Sequence, residues 1–327
     1  MSKIKTPLVI ALEETLRPKT LSQFSGQSRI KQKLEIFIKA TQKRKEALDH
    51  LLLYGPPGLG KTTLAHLIAS EMGVSIRITS GPALERSGDL ASILTNLKDH
   101  DILFIDEVHR LNKPVEESLY PAMEDFSLDI ILGKGPSART VRLDLPKFTI
   151  IAATTRIGLL SSPLRDRFGA IFRMDYYNNT DLAGIVERSA RILKVPASNK
   201  ICLQLAKRSR GTPRIANRIL KRVRDFAQIK SKGIINEQVL EEALRILEID
   251  PLGLDKMDRD LLTAVCLDHQ GGPVGADTLA ATVSEDVGTL ESVIEPYLMK
   301  KGLLKRTKNG RVATEKAFKH LNLPLSV

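Results

Sequence analysis

Short, mainly apolar segments, unbroken by polar alternation, alternate with helical stretches over the first half of the chain. Each segment is four to six residues long, and the five of them cover 51–54, 75–79, 102–106, 149–154 and 170–174. Uninterrupted apolar runs of this length are typical of parallel strands that helices cover on both faces. Apolar residues at helical spacing precede the first run. The pattern predicts an α/β fold, a doubly wound parallel sheet over residues from about 20 to 177.

Only helical periodicity continues from 178 to about 250. Cap-forming residues predict that the helices there begin at Thr180-Asp181, Ser198-Asn199, Thr212-Pro213 and Asn236. The Asp-Pro-Leu-Gly sequence at 250–253 interrupts the pattern, because the residue before a proline is biased away from helix. Three helical segments then precede two strands, at 303–307 and 311–314, and the Asn-Gly between those strands is a strong hairpin signal. We therefore expect three domains, at 1–177, 178–250 and 251–327.

The sequence Gly-Pro-Pro-Gly-Leu-Gly-Lys-Thr at 55–62 fits the phosphate-binding pattern G-x-x-x-x-G-K-[ST]. It lies between a predicted strand and a predicted helix, which is the setting that this pattern requires. Backbone N–H groups of the loop and of the helix N-terminus would surround the phosphates. Lys61 would reach the β- and γ-phosphates, and the Thr62 hydroxyl would ligate Mg²⁺. The loop predicts that ATP and Mg²⁺ are bound here.

Two adjacent carboxylates, Asp106 and Glu107, follow the apolar strand at 102–106. Ligands of open α/β sheets bind at the carboxyl ends of the strands. We expect Asp106 to hold Mg²⁺ through its water shell and Glu107 to polarise the attacking water; a pair that merely caps the next helix is the alternative. A threonine hydroxyl at 154–155, after the following strand, could contact the γ-phosphate or cap a turn. The acidic pair favours hydrolysis of ATP over transfer to an organic acceptor.

Two arginines in other parts of the chain are candidates for contacts to the phosphates. The sequence Pro-Leu-Arg-Asp-Arg-Phe-Gly at 163–169 lies ahead of a buried strand and far along the chain from the phosphate loop. An arginine there is either a finger that reaches a neighbour's ATP, worth ~10³–10⁵ in rate, or a member of a surface ion pair. Arg214 begins a helix of the second domain and could contact the phosphates from there.

Alternating apolar positions at 128–132 and 141–145 flank a Gly-Lys-Gly-Pro turn at 133–136. This alternation predicts a hairpin over 128–145 with one apolar face. An apolar edge that projects from an ATPase indicates a partner site. The alternative is a hairpin that packs on its own domain.

The basic composition of the chain indicates that it binds a polyanionic partner. The chain has a net charge of +12, with fourteen Lys and Arg against two acids over 184–232 and eight against one over 300–319. The first cluster could face DNA, line a subunit interface or be solvated. No run approaches the ~18 apolar residues of a membrane helix, and no signal peptide is recognisable. The two cysteines, Cys202 and Cys266, lie in apolar helical settings, which favours a reducing, cytoplasmic location.

The chain resembles the AAA+ ATPases and, within them, the RuvB family of Holliday-junction branch-migration motors. The resemblance extends from about residue 16 to 317 and includes LRPKTLSQFSGQ at 16–27, LFIDEVHRL at 103–111, LYPAMEDFSLDIILGKGPSAR at 119–139, TTRIGLLSSPLRDRFG at 154–169 and GTPRIANR at 211–218. It implies a large ATPase domain at 1–177, a helical lid at 178–250 and a winged-helix head at 251–327. The implied activity is ATP-driven movement of duplex DNA in recombination and repair.

The resemblance also implies roles for individual residues. Thr155 would be the sensor of the γ-phosphate, Arg167 the finger that acts on a neighbouring subunit, and Arg214 a sensor on the lid. The implied nucleotide contacts are Leu16, Arg17, Gly58, Gly60, Lys61, Thr62, Thr63, Glu124, Asp125, Phe126, Arg167, Tyr177 and Arg214. Lys61, Asp106, Glu107, Thr155 and Arg167 form the implied catalytic set, with Thr62 and, through water, Asp106 on Mg²⁺.

The partners implied by the resemblance are duplex DNA at Holliday junctions, RuvA, and further copies of this chain in a homohexameric ring, with the RuvC resolvase as a possible addition. Val141 and Leu143 on the hairpin would contact RuvA. The wing of the head carries Lys305, Arg306, Lys308 and Arg311, and Arg306 and Arg311 are the leading DNA contacts. Since no aromatic residues interleave with these cations, we expect phosphate contacts with little sequence preference.

Two other functions are compatible with parts of this sequence. One is another AAA+ machine, such as a clamp loader or a replication initiator, which the apolar hairpin disfavours. The other is a DNA-binding regulator in which ATP is only a conformational signal. The glutamate directly after Asp106 favours turnover and therefore disfavours the regulator.

Overall fold

The computed structural model describes residues 16–132 and 139–324. The chain divides into two compact units between Tyr177 and Asn178. The second unit contains both the predicted lid and the predicted head. None of the helices in the described ranges is long and apolar enough to cross a membrane.

The first unit alternates strands and helices along the chain. Its elements are α1 (Ser28–Arg44), β1 (Leu51–Tyr54), α2 (Lys61–Met72), β2 (Ile76–Ser80), α3 (Ser87–Leu94), β3 (Ile102–Asp106), α4 (Lys113–Glu124), β4 (Ser127–Leu132), β5 (Arg139–Asp144), β6 (Thr149–Thr154), α5 (Ser162–Asp166) and β7 (Ala170–Arg173). The five apolar runs of the sequence are the strands β1, β2, β3, β6 and β7, with boundaries shifted by one residue at β2 and β7.

These five strands form one parallel sheet in the order β2-β3-β6-β1-β7. In the register, Tyr54 at the end of β1 lies beside Thr154 at the end of β6, and Ile105 of β3 lies beside Ala152 of β6. The chain crosses between strands on both faces, which confirms the predicted doubly wound fold. The carboxyl ends of β1, β3 and β6 therefore share one edge of the sheet.

The central strands β1, β3 and β6 are buried on both faces, which explains their lack of polar alternation, whereas the edge strands β2 and β7 are partly exposed. Leu52, Leu103 and Ile150 belong to one apolar cluster together with residues of α3 and α4. Their neighbours Leu53 and Phe104 are fully buried as well. Each such side chain contributes about 1.5–3 kcal/mol by leaving water, so the central strands form a rigid base for the loops that follow them.

The strands β4 and β5 form a separate antiparallel pair, as the alternation predicted. Leu128 lies beside Leu143, and Leu128 and Leu145 are buried in the core of the first unit. The base of the hairpin therefore packs on its own domain, which was the alternative to a free apolar edge. The predicted turn at 133–136 lies outside the described residues.

The second unit begins with four helices, α6 (Asn179–Ile192), α7 (Asn199–Lys207), α8 (Pro213–Lys230) and α9 (Glu237–Ile246). Ser198, Thr212 and Asn236 each cap the helix that follows them, as predicted. The first helix begins two residues earlier than predicted, because Asn178 caps it instead of Thr180. The Asn178 side chain accepts a hydrogen bond from the N–H of Asp181 at 2.7 Å.

The remainder of the second unit combines helices with a short hairpin. Its elements are α10 (Lys256–Thr263), a π-helical turn (Ala264–Asp268), α11 (Ala276–Thr282), α12 (Val287–Thr289), a second π-helical turn (Leu290–Ile294), α13 (Glu295–Lys300), β8 (Leu304–Thr307), β9 (Gly310–Ala313) and α14 (Glu315–His320). Leu261, Leu279, Leu298 and Phe318 form part of one apolar core. The helix expected from 258 begins at Lys256, because Asp255 and Asp258 form a reciprocal capping box.

Candidate nucleotide, DNA and partner sites

The phosphate loop joins the end of β1 to the first turn of α2. Gly58 and Gly60 have positive φ values of 81° and 96°, and Gly60 is the N-cap of α2. Side chains larger than hydrogen disfavour this left-handed conformation, so the glycines allow the chain to curl around a phosphate. Thr62 and Thr63 follow on the first turn of α2 and are half-buried. The N–H groups of this turn lack helical partners, which makes it an anion site.

The side chain of Lys61 is folded against the loop that precedes it. Its ammonium donates hydrogen bonds to the carbonyl oxygens of Gly55 at 2.8 Å and Pro56 at 3.0 Å, and the residue is 8 % exposed. Burial lowers the pKa of Lys61 to about 8, while the charges of Asp106 and Glu107 oppose this shift. The structure therefore brings the predicted lysine and the predicted acidic pair into one electrostatic site.

Asp106 ends β3, and Glu107 follows it in a left-handed conformation with φ 49°. The N–H of Glu107 donates to Asp106 Oδ1 at 2.9 Å, and the Glu107 carboxylate pairs with Arg110 at 3.3 Å. A Cβ at Gly81 would lie 2.5 Å from the carbonyl oxygen of Glu107. No local sequence signal marks Gly81, since its contact depends on β2 lying beside β3.

The hydroxyls of Thr154, which ends β6, and Thr155, which follows it, differ in their surroundings. Thr154 is buried, lies 2.9 Å from Nδ1 of His109, and accepts a hydrogen bond from the N–H of Arg156. Burial lowers the pKa of His109 and so favours the neutral ring. Thr155 is half-buried just beyond the strand end. The predicted sensor therefore lies at the edge of the sheet that also carries Lys61 and Asp106.

The donors at this edge fit a magnesium ion. The hydroxyl of Thr62 and the carboxylate of Asp106 are hard oxygen ligands of the kind that Mg²⁺ prefers, together with water and phosphate oxygens. They lie on elements that converge at the carboxyl ends of β1 and β3. No cluster of three or more His, Cys, Asp or Glu side chains exists within 16–132 and 139–324 to suggest a resident metal elsewhere.

The predicted base-binding residues belong to the same unit as the loop. Leu16 is buried, Arg17 is half-buried, and Tyr177 is 5 % exposed. The Tyr177 hydroxyl donates to the carbonyl oxygen of Leu59 within the phosphate loop at 3.2 Å. Tyr177 therefore ties the last residue of the first unit to the loop.

Arg167 lies at the other edge of the sheet, because it follows α5 and precedes the amino end of β7. Its guanidinium donates to the Pro163 carbonyl oxygen at 2.6 Å and to Glu124 at 3.1 Å, and it lies 4.3 Å from the centre of the Tyr120 ring. Its Nε is buried and has no hydrogen-bond partner within the described part of the chain. Strand β1 has four residues, so the two edges are about 13 Å apart.

Glu124, Asp125 and Phe126 surround this second edge. Glu124 ends α4 and pairs with Arg167, and Asp125 pairs with Arg142 of β5 at 3.0 Å. The ring of Phe126 lies 6.2 Å from the ring of His50, which immediately precedes β1. None of these residues follows the carboxyl end of a strand in the main sheet, whereas Lys61 and Asp106 do. The implied nucleotide contacts therefore fall into two groups at opposite edges.

Arg214 lies in the first turn of α8 and is exposed. A cation near a helix N-terminus opposes the helix dipole, so this position weakens the helix slightly.

Several Lys and Arg side chains of the 184–232 cluster form ion pairs with Asp or Glu side chains, most of which lie outside that cluster. The pairs include Lys200–Glu237, Arg208–Glu241, Arg210–Asp258, Arg224–Asp225 and Lys230–Glu242. The carboxylates come largely from α9 and from the head. These pairs account for part of the cluster without DNA, a point that the sequence left open.

The wing formed by β8 and β9 carries the predicted DNA contacts. Lys305, Arg306 and Lys308 are exposed. Arg311 is only 6 % exposed, and it pairs with Glu295 at 2.6 Å and Glu291 at 2.8 Å. The placement of Arg311 differs from the expected surface position, because its side chain is held against the head by Glu291 and by the buried Glu295. Arg306 shares the same Glu291 carboxylate oxygen at 2.9 Å.

The hairpin residues predicted to bind a partner differ in exposure. Val141 is 38 % exposed, and Leu143, closer to the base, is half-buried beside Leu128. Of these two side chains, Val141 therefore offers the more accessible apolar surface.

Three family descriptions match consecutive parts of the chain. Residues 16–174 match the Holliday junction DNA helicase RuvB P-loop domain, 177–250 match the RuvB AAA lid domain, and 251–322 match the RuvB C-terminal winged-helix domain. The chain belongs to the RuvB family.

Solved structures agree with this assignment. The Thermotoga maritima RuvB Holliday junction branch migration motor is 48% identical to this chain, covers 95% of it over 99% of its own length, and superimposes with a TM-score of 0.87. Two single-substitution variants of the same Thermotoga maritima protein show 49% identity over 94% of this chain, and 98% and 99% of their own lengths, with TM-scores of 0.87 and 0.88. The predicted family, the three-part AAA+ fold and the ATP-driven branch-migration motor are thereby confirmed.

Proposed function

We propose that this motor works as a ring of six identical subunits, the homohexamer that the family resemblance implies. Two neighbouring subunits together hold each ATP. The observation that carries this proposal is the separation of the nucleotide residues between opposite edges of one sheet. Lys61, Asp106 and Glu107 lie at the carboxyl edge, and Arg167 lies at the amino edge. An arginine side chain does not span about 13 Å of strand, so Arg167 serves the site of a neighbour.

Within each site, the residues divide the work of hydrolysis. Lys61 and the loop N–H groups hold the β- and γ-phosphates, and Glu107 orients and polarises the water. Thr155 contacts the γ-phosphate, and the neighbour's Arg167 stabilises the charge that develops in the transition state. Mg²⁺, held by Thr62 and through water by Asp106, would neutralise phosphate charge. Leu16, Arg17 and Tyr177 bind the base, and Arg214 reports the state of the site to the lid.

The wing is the surface that moves duplex DNA at a Holliday junction. Lys305, Arg306 and Lys308 are exposed on it and would contact phosphates. In the structure the Glu291 carboxylate pairs with Arg311. Arg311 would contact DNA only if a phosphate replaced that carboxylate. Phosphate contacts give affinity without sequence preference, which suits a motor that follows any sequence.

The hairpin is the surface that engages RuvA. Val141 supports this assignment by its exposed apolar side chain, and Leu143 would contribute at its border. We further infer a cytoplasmic chain, in agreement with the buried free thiols of Cys202 and Cys266, and retain the RuvC resolvase as a candidate partner.

A single assay tests motor, partner and hairpin together. The purified chain, ATP, Mg²⁺ and RuvA are mixed with a synthetic four-way junction, and the release of duplex arms is followed. The intact chain should separate the arms only when both ATP and RuvA are present. Val141→Asp should lose the stimulation by RuvA and keep its DNA-dependent ATPase activity, whereas Val141→Ile should resemble the intact chain. Equal stimulation of all three proteins would contradict the hairpin assignment, and no arm release by the intact chain would contradict the function.

A further inference from the structure

A buried arginine joins the lid to the head inside the second unit. Arg210 lies in the turn between α7 and α8, with φ 55° and a side chain that is 9 % exposed. Its backbone belongs to the lid, and its guanidinium lies among residues of the head. A buried guanidinium is costly unless its N–H groups find acceptors, so its partners define what the residue does.

Those partners come from two separate parts of the head. Arg210 pairs with Asp258 at 2.9 Å and with Asp255 at 3.4 Å, both at the start of α10. It also donates to the carbonyl oxygen of Val293 at 3.0 Å and lies 4.7 Å from the centre of the Tyr297 ring. One lid side chain therefore fixes both α10 and the 290–300 segment.

The pair with Asp258 is fully enclosed. Asp258 is 0 % exposed, and its Oδ2 also accepts the N–H of Asp255 at 3.0 Å. Burial raises the pKa of Asp258 to about 7, with Arg210 acting in the opposite direction. Buried ion pairs add little net stability compared with apolar side chains of the same volume. Directional bonds to Asp255, Asp258 and Val293 instead fix one orientation of the head on the lid.

Arg210 lies between Arg214 of the lid and the segment of the head that holds the wing. Only Gly211, Thr212 and Pro213 separate it from Arg214, and the Thr212 cap and the proline restrict that short segment. On the head side, the 290–300 segment that Arg210 holds also supplies Glu291 and Glu295.

Those two carboxylates hold Arg306 and Arg311 of the wing. A short chain segment thus links Arg214 to Arg210, and side-chain and backbone contacts continue from Arg210 through the 290–300 segment to the wing.

We propose that Arg210 is the positioning residue that transmits movement of the nucleotide-sensing turn of the lid to the wing. This inference rests on the proposed roles of Arg214 and the wing. Arg210 touches neither ATP nor DNA, and its effect is on how much DNA movement each hydrolysed ATP produces.

The test separates this role from folding. Arg210→Met alone leaves Asp258 buried without its cation, so the informative variant is Arg210→Met with Asp258→Leu, which replaces the pair by apolar side chains of similar volume. The matched control is Arg208→Met, because Arg208 has a similarly buried side chain whose partner, Glu241, stays within the lid. Each full-length protein is assayed for thermal unfolding, DNA-free ATPase activity and base pairs migrated per ATP.

The double variant should fold and keep DNA-free ATPase activity within about twofold, while migration per ATP falls by about 5- to 150-fold, the range of ordinary coupling energies. Arg208→Met should keep all three properties. Unchanged migration per ATP in a folded double variant, or an equal loss of DNA-free ATPase activity, would overturn the proposal.

A second readout does not depend on the proposed motor function. Spin labels at Gln228→Cys in the lid and Lys319→Cys in the head, both exposed, report the distance between the two domains. The distribution of distances should be narrow in the otherwise intact chain and in Arg208→Met, and broad in the double variant. An equally narrow distribution in the double variant would refute the claim that Arg210 fixes the head on the lid. This conclusion would hold even if the intact chain failed to move a four-way DNA junction.

Discussion

At the scale of single residues, the backbone of Glu107 is the most constrained feature of the catalytic edge. A non-glycine residue in the left-handed region costs about 1–3 kcal/mol and persists only where its surroundings fix it. Here the fixing contacts are the bond from the Glu107 N–H to Asp106 and the bond from the Arg110 N–H to the Glu107 carbonyl oxygen at 2.9 Å. Gly81 packs against that same carbonyl, so it controls where the carboxylate lies.

We predict that Gly81→Ala lowers kcat for ATP hydrolysis by on the order of 10²-fold, because a displacement of about 1 Å at a catalytic group costs that much. The added methyl carbon would lie 2.5 Å from the Glu107 carbonyl oxygen and force the strand end to move. Steady-state ATPase kinetics measure the effect, and KM should change little because Lys61 and the loop are untouched.

Gly88→Ala is the matched control for that substitution. A Cβ at Gly88, in α3, meets nothing within 4 Å, so this variant should keep its kcat and gain up to about 1 kcal/mol of stability from helix propensity. A Gly81→Ala protein with the same kcat as Gly88→Ala would show that Glu107 does not depend on this contact.

The pKa of Lys61 predicts a pH dependence of nucleotide binding. Its ammonium has a pKa lowered to about 8 by burial, and the charged form is the one that binds phosphates. Above pH 8 binding must therefore take up a proton, and affinity should fall by up to about tenfold per pH unit. Titration with a fluorescent ATP analogue from pH 7 to 9.5 measures this, and Lys61→Arg, whose guanidinium stays charged, should show a flat profile. A flat profile for the intact chain would disprove the role of the lysine charge.

At the scale of elements, the wing is less positive than its sequence indicates. Arg306 and Arg311 face each other across β8 and β9, and like charges in that position repel. Glu291 relieves the repulsion by pairing with both. The hydrogen bond from Arg311 is the main cause that lowers the pKa of Glu291, so the carboxylate stays charged. At the proposed DNA contact it would compete with phosphates for the same guanidinium groups.

We predict that Glu291→Gln strengthens binding to duplex DNA and makes it more sensitive to salt. One additional phosphate contact changes the slope of log K against log salt concentration by about −0.9. Fluorescence anisotropy with a short duplex, at several salt concentrations, measures both quantities. Glu315→Gln removes one charge on α14, away from the wing arginines, since Glu315 pairs with Lys319; it should leave the slope unchanged. Weaker binding by Glu291→Gln would show that Glu291 orders the wing instead of competing with DNA.

At the scale of the whole molecule, the proposed ring places the catalytic residues of each site on two neighbouring subunits. Lys61→Ala and Arg167→Ala should each abolish hydrolysis alone. Mixed in equal amounts, they should recover activity at up to about one quarter of the interfaces, because random assembly places an intact Lys61 beside an intact Arg167 that often. DNA-stimulated ATPase activity of the mixture measures the recovery.

A second mixture serves as the control for complementation between subunits. Lys61→Ala and Glu107→Gln both disable the carboxyl edge of their own subunit, so mixing them should restore nothing. Recovery in this control, or none in the first mixture, would be incompatible with a finger that acts on the neighbouring site.

Local patterns determined the strands, the phosphate loop and the acidic pair. The four strand-forming residues at 51–54 and the glycine-rich loop after them depend on neighbouring residues alone, because propensity, periodicity and backbone freedom act over a few positions. The same holds for the caps Ser198, Thr212 and Asn236, whose side chains bond within three residues. The helix start at Asn178 was missed because two adjacent asparagines and a threonine all suit a cap.

Only the tertiary structure decided which residues meet across the chain. Gly81 meets Glu107, Asp258 encloses Arg210, and Glu291 and Glu295 bury Arg311. Each of these contacts joins positions that are far apart in the sequence. No local pattern encodes such pairings, because they depend on strand order and on how helices pack. The sequence by itself thus determined the ATP-binding chemistry, whereas the fold decided that Lys61 and Arg167 lie at opposite edges of one sheet.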